Sequence, residues 1–385
     1  MCMSAAVSHA GASAYLVDRS GRRYPIGEPR WRGDDGSPLM VSTLPGINAA
    51  DVDSAERSQW RYRAALPMPL SKPVSLGEGC TPLLRVTREG VVLRVKPEWF
   101  NPTASFKDRG MSVLVSLLAE QGITSILEDS SGNAGSSLAA YAAAAGMSAR
   151  ILAPESTSAA KIMQSRFHGA EIVLVPGDRS ATSDAAVKES ATRFYASHNW
   201  HPFFIQGTKL LAYELWEDLG FAAPDAVVVP AGSGSLVLGC LLGFTELVAS
   251  GAIARVPRIL VAQAANCSPL ADAFEHGLSE VRDVHWLPTM AEGASIARPV
   301  RDIEVLAAVR VTAGGFQTVT EHDLRSEVHT LASMGLYAEP TGALASAAVT
   351  GFIAQGLLDP GETNVIVLTG SGLKSSQMMA NVLQL

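Results

Sequence analysis

A chain of 385 residues, 47% hydrophobic and 17% charged, has the composition of a well-buried globular enzyme and the length of one large or two ordinary domains. Its formal net charge of -7 and pI near 5.7 exclude the broad basic face that nucleic acid or an anionic membrane requires. Four cysteines, Cys2, Cys80, Cys240 and Cys267, are scattered without C-x-x-C spacing, which indicates neither a zinc site nor a disulfide framework and fits a reducing cytosol.

In chain order, Met1 to Ala14 is small and apolar but has no basic segment and no long hydrophobic run, so a tail is expected there rather than a signal peptide. No segment reaches the ~20 uninterrupted apolar residues that span a bilayer. Residues 15–75 are rich in Arg, Pro, Gly and Asp with short extended pieces such as Tyr15-Leu16-Val17, and are expected to form an N-terminal extension wrapped on the body. From Val91 onward, short β-branched runs alternate with helical periodicity, the pattern of parallel sheets covered by helices. Strands are expected at 91–95, 123–128, 149–153, 171–175, 225–229, 258–263 and 364–368. Helices are expected at 105–121, 136–145, 158–168, 180–197, 208–219, 235–249, 300–310, 321–334 and 340–355. The fold class is therefore α/β, with two doubly wound, mostly parallel sheets: a smaller domain of 105–205 inserted into a larger one built from 76–104 and 206–385. In such folds ligands lie at the carboxyl ends of the strands.

The stretch Asn101-Pro102-Thr103-Ala104-Ser105-Phe106-Lys107-Asp108-Arg109-Gly110 leads into a helix on which Met111, Leu114, Val115 and Leu118 share one face. Lys107 falls in its first turn, where the helix N-terminus disfavours a cation and lowers the amine's pKa. Such an amine is a nucleophile suited to a Schiff base with a carbonyl cofactor. On these ten residues alone a solvated surface lysine is an equal reading. Four further loops stand where a site is expected. Ser130-Ser131-Gly132-Asn133-Ala134-Gly135 opens a helix whose free N–H groups suit an α-carboxylate, or is an ordinary N-cap. Ala231-Gly232-Ser233-Gly234-Ser235 follows a strand and opens another helix, as a phosphate cup does; Val237 stands where a dinucleotide motif needs a further glycine. Leu368-Thr369-Gly370-Ser371-Gly372-Leu373-Lys374 follows the last strand. In Ala291 to Arg301, Glu292 or Ser295 is placed to touch a ligand, while Arg298 and Arg301 either pair an anionic substituent or form surface ion pairs, the second being the preferred reading. Lys209 is read by default as a first-turn surface residue, with an anion partner as the alternative, and His201 and His285 as ordinary histidines.

The lysine stretch resembles that of the fold-type-II pyridoxal-phosphate enzymes, and within them the threonine synthase branch, whose motif is Asn-Pro-Thr-Gly-Ser-Phe-Lys-Asp-Arg; Ala104 is the departure. The resemblance covers roughly residues 76–375, and includes Trp60-Arg61-Tyr62-Arg63 and Ser75 to Leu83 ahead of the catalytic body. It implies pyridoxal 5'-phosphate held by Lys107 as a Schiff base, with Phe106, Asn133, Gly232, Ser233, Gly234, Ser235 and Thr369 around it. Asn133 would meet the ring's phenolic oxygen, and Thr369 the pyridine nitrogen, which a neutral hydroxyl need not keep protonated. Ser130, Ser131, Gly132, Ala134 and Glu292 would face the substrate. The extension resembles a cysteine-bearing ribbon of longer relatives but lacks its cysteines, so no metal is expected.

The implied activity is that of a lyase or synthase acting at Cβ or Cγ of a small amino-acid substrate, in a cytoplasmic homodimer. Phe204 stands where an arginine would bind a substrate phosphate, a loss of about 2–5 kcal/mol if the site is buried. Ala134 replaces a hydroxyl residue, and the cup lacks an asparagine. A phosphohomoserine-using enzyme, an O-phosphoserine-using β-replacement enzyme similar to cysteate synthase, a serine or threonine dehydratase, and a non-catalytic cofactor-binding regulator all remain open.

Overall fold

The computed structural model describes residues 14–88 and 91–383; the expected N-terminal tail lies outside them, apart from Ala14. Three short strands, β1 (Tyr15–Val17), β2 (Arg23–Pro25) and β3 (Met40–Val41), form an antiparallel sheet in the order β2-β1-β3. Residues that follow bond to the body. Gln59 Nε2 donates to the Arg109 carbonyl at 2.9 Å, and Trp60 Nε1 to Glu78 Oε1 and Ser112 Oγ, each at 2.9 Å.

The body continues with β4 (Leu84–Arg88), β5 (Val91–Pro97), α1 (Lys107–Glu120), β6 (Ser125–Glu128), α2 (Asn133–Ala144), β7 (Ser148–Pro154), α3 (Ala159–Phe167), β8 (Glu171–Val175), α4 (Arg179–Glu189) and β9 (Phe194–Tyr195). Next come α5 (Pro202–Thr208), α6 (Leu210–Asp218), β10 (Ala226–Pro230), α7 (Ser235–Ala249), β11 (Arg258–Ala264), α8 (Pro269–Glu275), α9 (Asp302–Val311) and β12 (Gly315–Val319). The chain closes with α10 (Glu321–Ser333), α11 (Pro340–Ala347), α12 (Val349–Ala354), β13 (Asn364–Leu368) and α13 (Ser376–Leu383).

A four-stranded sheet runs β8-β7-β6-β9, all parallel, and a six-stranded sheet runs β12-β11-β10-β13-β5-β4, parallel except for β4. The central strands β10 (Ala-Val-Val-Val-Pro) and β13 (Asn-Val-Ile-Val-Leu) are buried at every position. Helices on both faces leave no polar side, so these strands are continuous apolar runs. Parallel order puts the carboxyl ends of β5, β10 and β13 together, and likewise those of β6, β7 and β8.

Several expectations change. Helix α4 stops at Glu189 instead of 197, because the chain beyond it turns back to supply the edge strand β9. Residues 202–208 form a separate helix, α5, packed against α1. Strands β4, β9 and β12 and helices α8 and α13 were not expected. Helix α1 is buried around its whole circumference, not on one face: Val113 and Leu117 are as buried as Leu114 and Leu118. Its serines stay satisfied, Ser112 Oγ donating to the Val74 carbonyl at 2.8 Å and Ser116 Oγ to the Ser112 carbonyl at 2.6 Å.

Candidate active site

The turn from β5 to α1 is held by three sets of bonds. Asp108 accepts from the Thr103 N–H and Oγ1, each at 2.6 Å, and from Ser137 Oγ at 2.5 Å. Backbone bonds from Phe106 N to the Thr369 carbonyl (3.0 Å) and from Ser371 N to the Ala104 carbonyl (3.1 Å) stitch the turn to the loop after β13. Behind it, the fully buried Arg109 guanidinium is bonded to Glu98 and Glu214 at 2.6–2.9 Å. Lys107, the first residue of α1, is thereby fixed at the wall of a cavity of about 700 Å³. That volume falls in the range that suits a cofactor-sized ligand with its substrate.

The Lys107 amine lies 4.6 Å from the Phe106 ring centre and 5.4 Å from that of Phe204. Its pKa is lowered to about 7, chiefly by burial and then by the Arg179 charge, against the opposing pull of Glu128 and Glu339. The expected direction holds, but desolvation, rather than the helix terminus, is its main cause.

Thirteen residues expected at the site line this one cavity: Phe106, Lys107, Ser130, Ser131, Gly132, Asn133, Ala134, Gly232, Ser233, Gly234, Ser235, Glu292 and Thr369. Ser295 does not. The N-termini of α2 and α7 both open into it, and neither has a side-chain cap; Gly234, at φ +83°, is the residue ahead of α7. At Gly232 a Cβ would lie 2.8 Å from Ile296 Cγ1 and 3.0 Å from Ala294 Cα, so the cup closes only with glycine there.

A family profile described as pyridoxal-phosphate dependent enzyme matches residues 74–370. The chain belongs to that family. Threonine synthase from Methanocaldococcus jannaschii is 34% identical over 338 residues, covering 85% of this chain and 83% of its own length. Threonine synthase from Mycobacterium leprae is 34% identical over 322 residues, covering 81% and 87%. Among solved structures, a threonine deaminase from T.th. matches with a TM-score of 0.63 at 26% identity, over 76% of this chain and 92% of that one. This family member is a pyridoxal-phosphate-dependent lyase of the threonine synthase-like kind.

The residues present fit the cofactor. Thr369 Oγ1 is buried and has no hydrogen-bond partner among the described residues, and a ring nitrogen would satisfy it. The uncapped N-terminus of α7, with Ser233 and Ser235, offers N–H and hydroxyl donors to a phosphate.

Three groups in the cavity carry weight that the sequence reading did not assign. Glu339 accepts from Asn133 Nδ2 at 2.9 Å, and burial raises its carboxyl to about 7 against the pull of Lys374 and Lys107. His198 lies with Nδ1 3.1 Å from Glu128 Oε1, and burial, then the Lys107 charge, holds the ring neutral. Arg179 opens α4 directly after the carboxyl end of β8. The available signal for Glu339 was slight: a charged residue just ahead of Pro340, in a position that capping alone would explain.

Other expectations are corrected. Arg298 does form an exposed pair with Asp283, at 2.8 Å. Arg301, in contrast, is buried, its guanidinium donating to the carbonyls of Leu39 and Asn199, each at 2.9 Å, and of Trp200 at 2.5 Å, which locks the extension to the body. Lys209 is fully buried and paired with Glu246 at 2.8 Å, because α5 and α6 pack it against α7. His201 is buried and accepts from the Phe203 N–H at 3.2 Å. Phe204 does not line the cavity; its ring packs against Gly110 beneath Lys107.

Proposed function

We propose that this enzyme eliminates or replaces a substituent at Cβ or Cγ of an amino acid, with Lys107 as its proton carrier. One observation carries the reading: a lysine amine with a pKa near neutrality shares a cavity with two uncapped helix N-termini and an unpartnered threonine hydroxyl. When bound, pyridoxal phosphate supplies an aldehyde that captures an amine and a ring that draws electron density from Cα.

The α7 terminus with Ser233 and Ser235 holds the phosphate, and Thr369 meets the ring nitrogen as a neutral partner. Residues Ser130 to Ala134 at the start of α2 receive the α-carboxylate. Lys107, its amine lowered to about 7, takes the Cα proton and returns it at a later position. Glu339 holds the Asn133 amide in place and is near enough to neutral pH to hold or release a proton itself.

A hydroxyamino-acid dehydratase is the second reading, favoured by the Phe204 ring where a guanidinium is absent. Product analysis after O-phosphohomoserine, O-phosphoserine, homoserine, serine and threonine separates the two: threonine or another replaced amino acid on one side, a 2-oxo acid on the other. Lys107→Ala is expected to abolish the absorbance near about 410 nm that a lysine-bound cofactor gives. A variant that stays yellow refutes the assignment. A homodimer in the cytoplasm is the accompanying proposal, supported by the resemblance and by free Cys80, Cys240 and Cys267; light scattering tests the dimer.

A further inference from the structure

Four cations line the cavity, and three of them are committed. Lys107 is the reacting amine. Lys161 Nζ lies 2.6 Å from Glu292 Oε2. Lys374 Nζ donates to the Thr103 carbonyl and Ser136 Oγ, each at 2.8 Å, and to Gln164 Oε1 at 2.5 Å. Arg179 is the fourth, and among the described residues it has no hydrogen bond or ion pair. The neighbouring carboxylate does not claim it, because Asp178 caps α4 by accepting from the Ala181 N–H at 3.0 Å.

The guanidinium lines the cavity. Its charge acts on Lys107, on His198 and on the buried Asp129 carboxylate, with which it makes no ion pair among the described residues, so it faces the reacting end of the cavity. A half-buried arginine in such a place has five donors and nothing to give them to. The helix N-termini of α2 and α7 already serve the two anions every substrate complex brings, the α-carboxylate and the cofactor phosphate. A third anion receptor has a use only if the substrate carries a third anion.

Resting on the function proposed above, we infer that Arg179 is a specificity-determining residue that pairs a phosphate or carboxylate on the substrate's side chain. Substrates would then be amino acids whose leaving group, or the group beyond it, is anionic, and their uncharged parents would bind poorly. The planar fork suits bidentate pairing with either oxyanion, which a lysine there would reproduce only in part.

The test uses the loaded enzyme and its Arg179→Gln and Arg179→Lys variants. Binding is read by calorimetry and by the cofactor's absorbance change with O-phosphohomoserine and O-phosphoserine as phosphate arms, O-succinylhomoserine and aspartate as carboxylate arms, and homoserine and serine as uncharged arms. We expect Arg179→Gln to weaken the preferred anionic arm by about 30-fold or more, the scale of a lost charge-assisted pair, with less than about a twofold change for the uncharged arms. Arg179→Lys should recover part of the loss, and the cofactor band and unfolding midpoint should not move. Equal binding of the anionic arms by wild type and Arg179→Gln overturns the inference, as does a wild type that does not prefer them. In either case a response to uncharged amino acids leaves the proposed function standing. A spectrum that no amino acid changes refutes both.

Discussion

Ala104 adopts φ +64°, a left-handed conformation that costs a residue with a Cβ roughly 1–2 kcal/mol. It is held there because its carbonyl accepts from Ser371 N and the turn around it must present Lys107 to the cavity. Glycine would relieve the strain but gain freedom in the unfolded chain, so Ala104→Gly is expected to stabilise by about 0.5–1 kcal/mol, read as a higher urea midpoint. Further along the same turn, the Lys107 amine titrates near 7, depressed first by burial and then by Arg179. Its folded pKa lies below the 10.5 of a free lysine, so the amine is neutral above pH 7 and protonated below. Uptake of pyridoxal phosphate by cofactor-free enzyme needs the neutral form. Its rate should rise through pH 7, level off above it, and fall by about tenfold per unit well below, followed as absorbance after mixing. A midpoint near 10 would show that Lys107 is solvated.

Helices α1 and α5 touch more closely than side chains allow. A Cβ on Gly207 would lie 2.1 Å from the Arg109 carbonyl oxygen and 2.7 Å from Gly110 Cα, backbone atoms that cannot swing aside. Gly207→Ala should therefore destabilise by about 1–3 kcal/mol, and because α1 carries Lys107 it should also weaken cofactor retention; denaturant midpoint and absorbance after dialysis measure the two. This contact also shows what the sequence could and could not convey. The loops at Lys107, Ser130–Asn133, Gly232–Ser235 and Thr369 were legible because glycine, serine and asparagine after an apolar run mark helix starts, and each falls at a strand's carboxyl end. Helix α5 was not, since Pro202 to Thr208 is too short for a helical period to show and is buried on every side. Strand β12, Gly-Phe-Gln-Thr-Val, has a mixed surface and lies at the sheet's edge, where its pattern does not announce a strand. Arg179 opens α4, His198 lies in the turn after β9 and Glu339 stands just ahead of α11, and no spacing along the chain relates them.

Across the whole molecule, β5, the turn after it, α1 and α6 converge on one buried charge cluster. Arg109 of α1 pairs with Glu98 at 2.6 Å and with Glu214 of α6 at 2.8 Å, while Lys96 of β5 pairs with Glu214 at 2.7 Å and Asp218 at 2.6 Å. Burial alone would raise the Glu214 carboxyl, but Arg109 and then Lys96 outweigh it and hold the group well below the usual carboxylate range. Replacing Glu214 with Gln leaves two buried cations short of a partner, a loss of about 3–5 kcal/mol for a broken buried pair. The sign of its pH dependence follows from the depressed pKa. The carboxylate's contribution is complete above its unfolded value of 4.5 and is lost as pH falls toward the folded one, where wild type takes up a proton and comes to resemble the amide. Unfolding free energies of wild type and Glu214→Gln should thus differ most near neutral pH and converge below 4.5. A gap that stays constant into acid would mean the cluster acts through shape and hydrogen bonding, and that charge pairing does not hold Lys107's helix to the larger sheet.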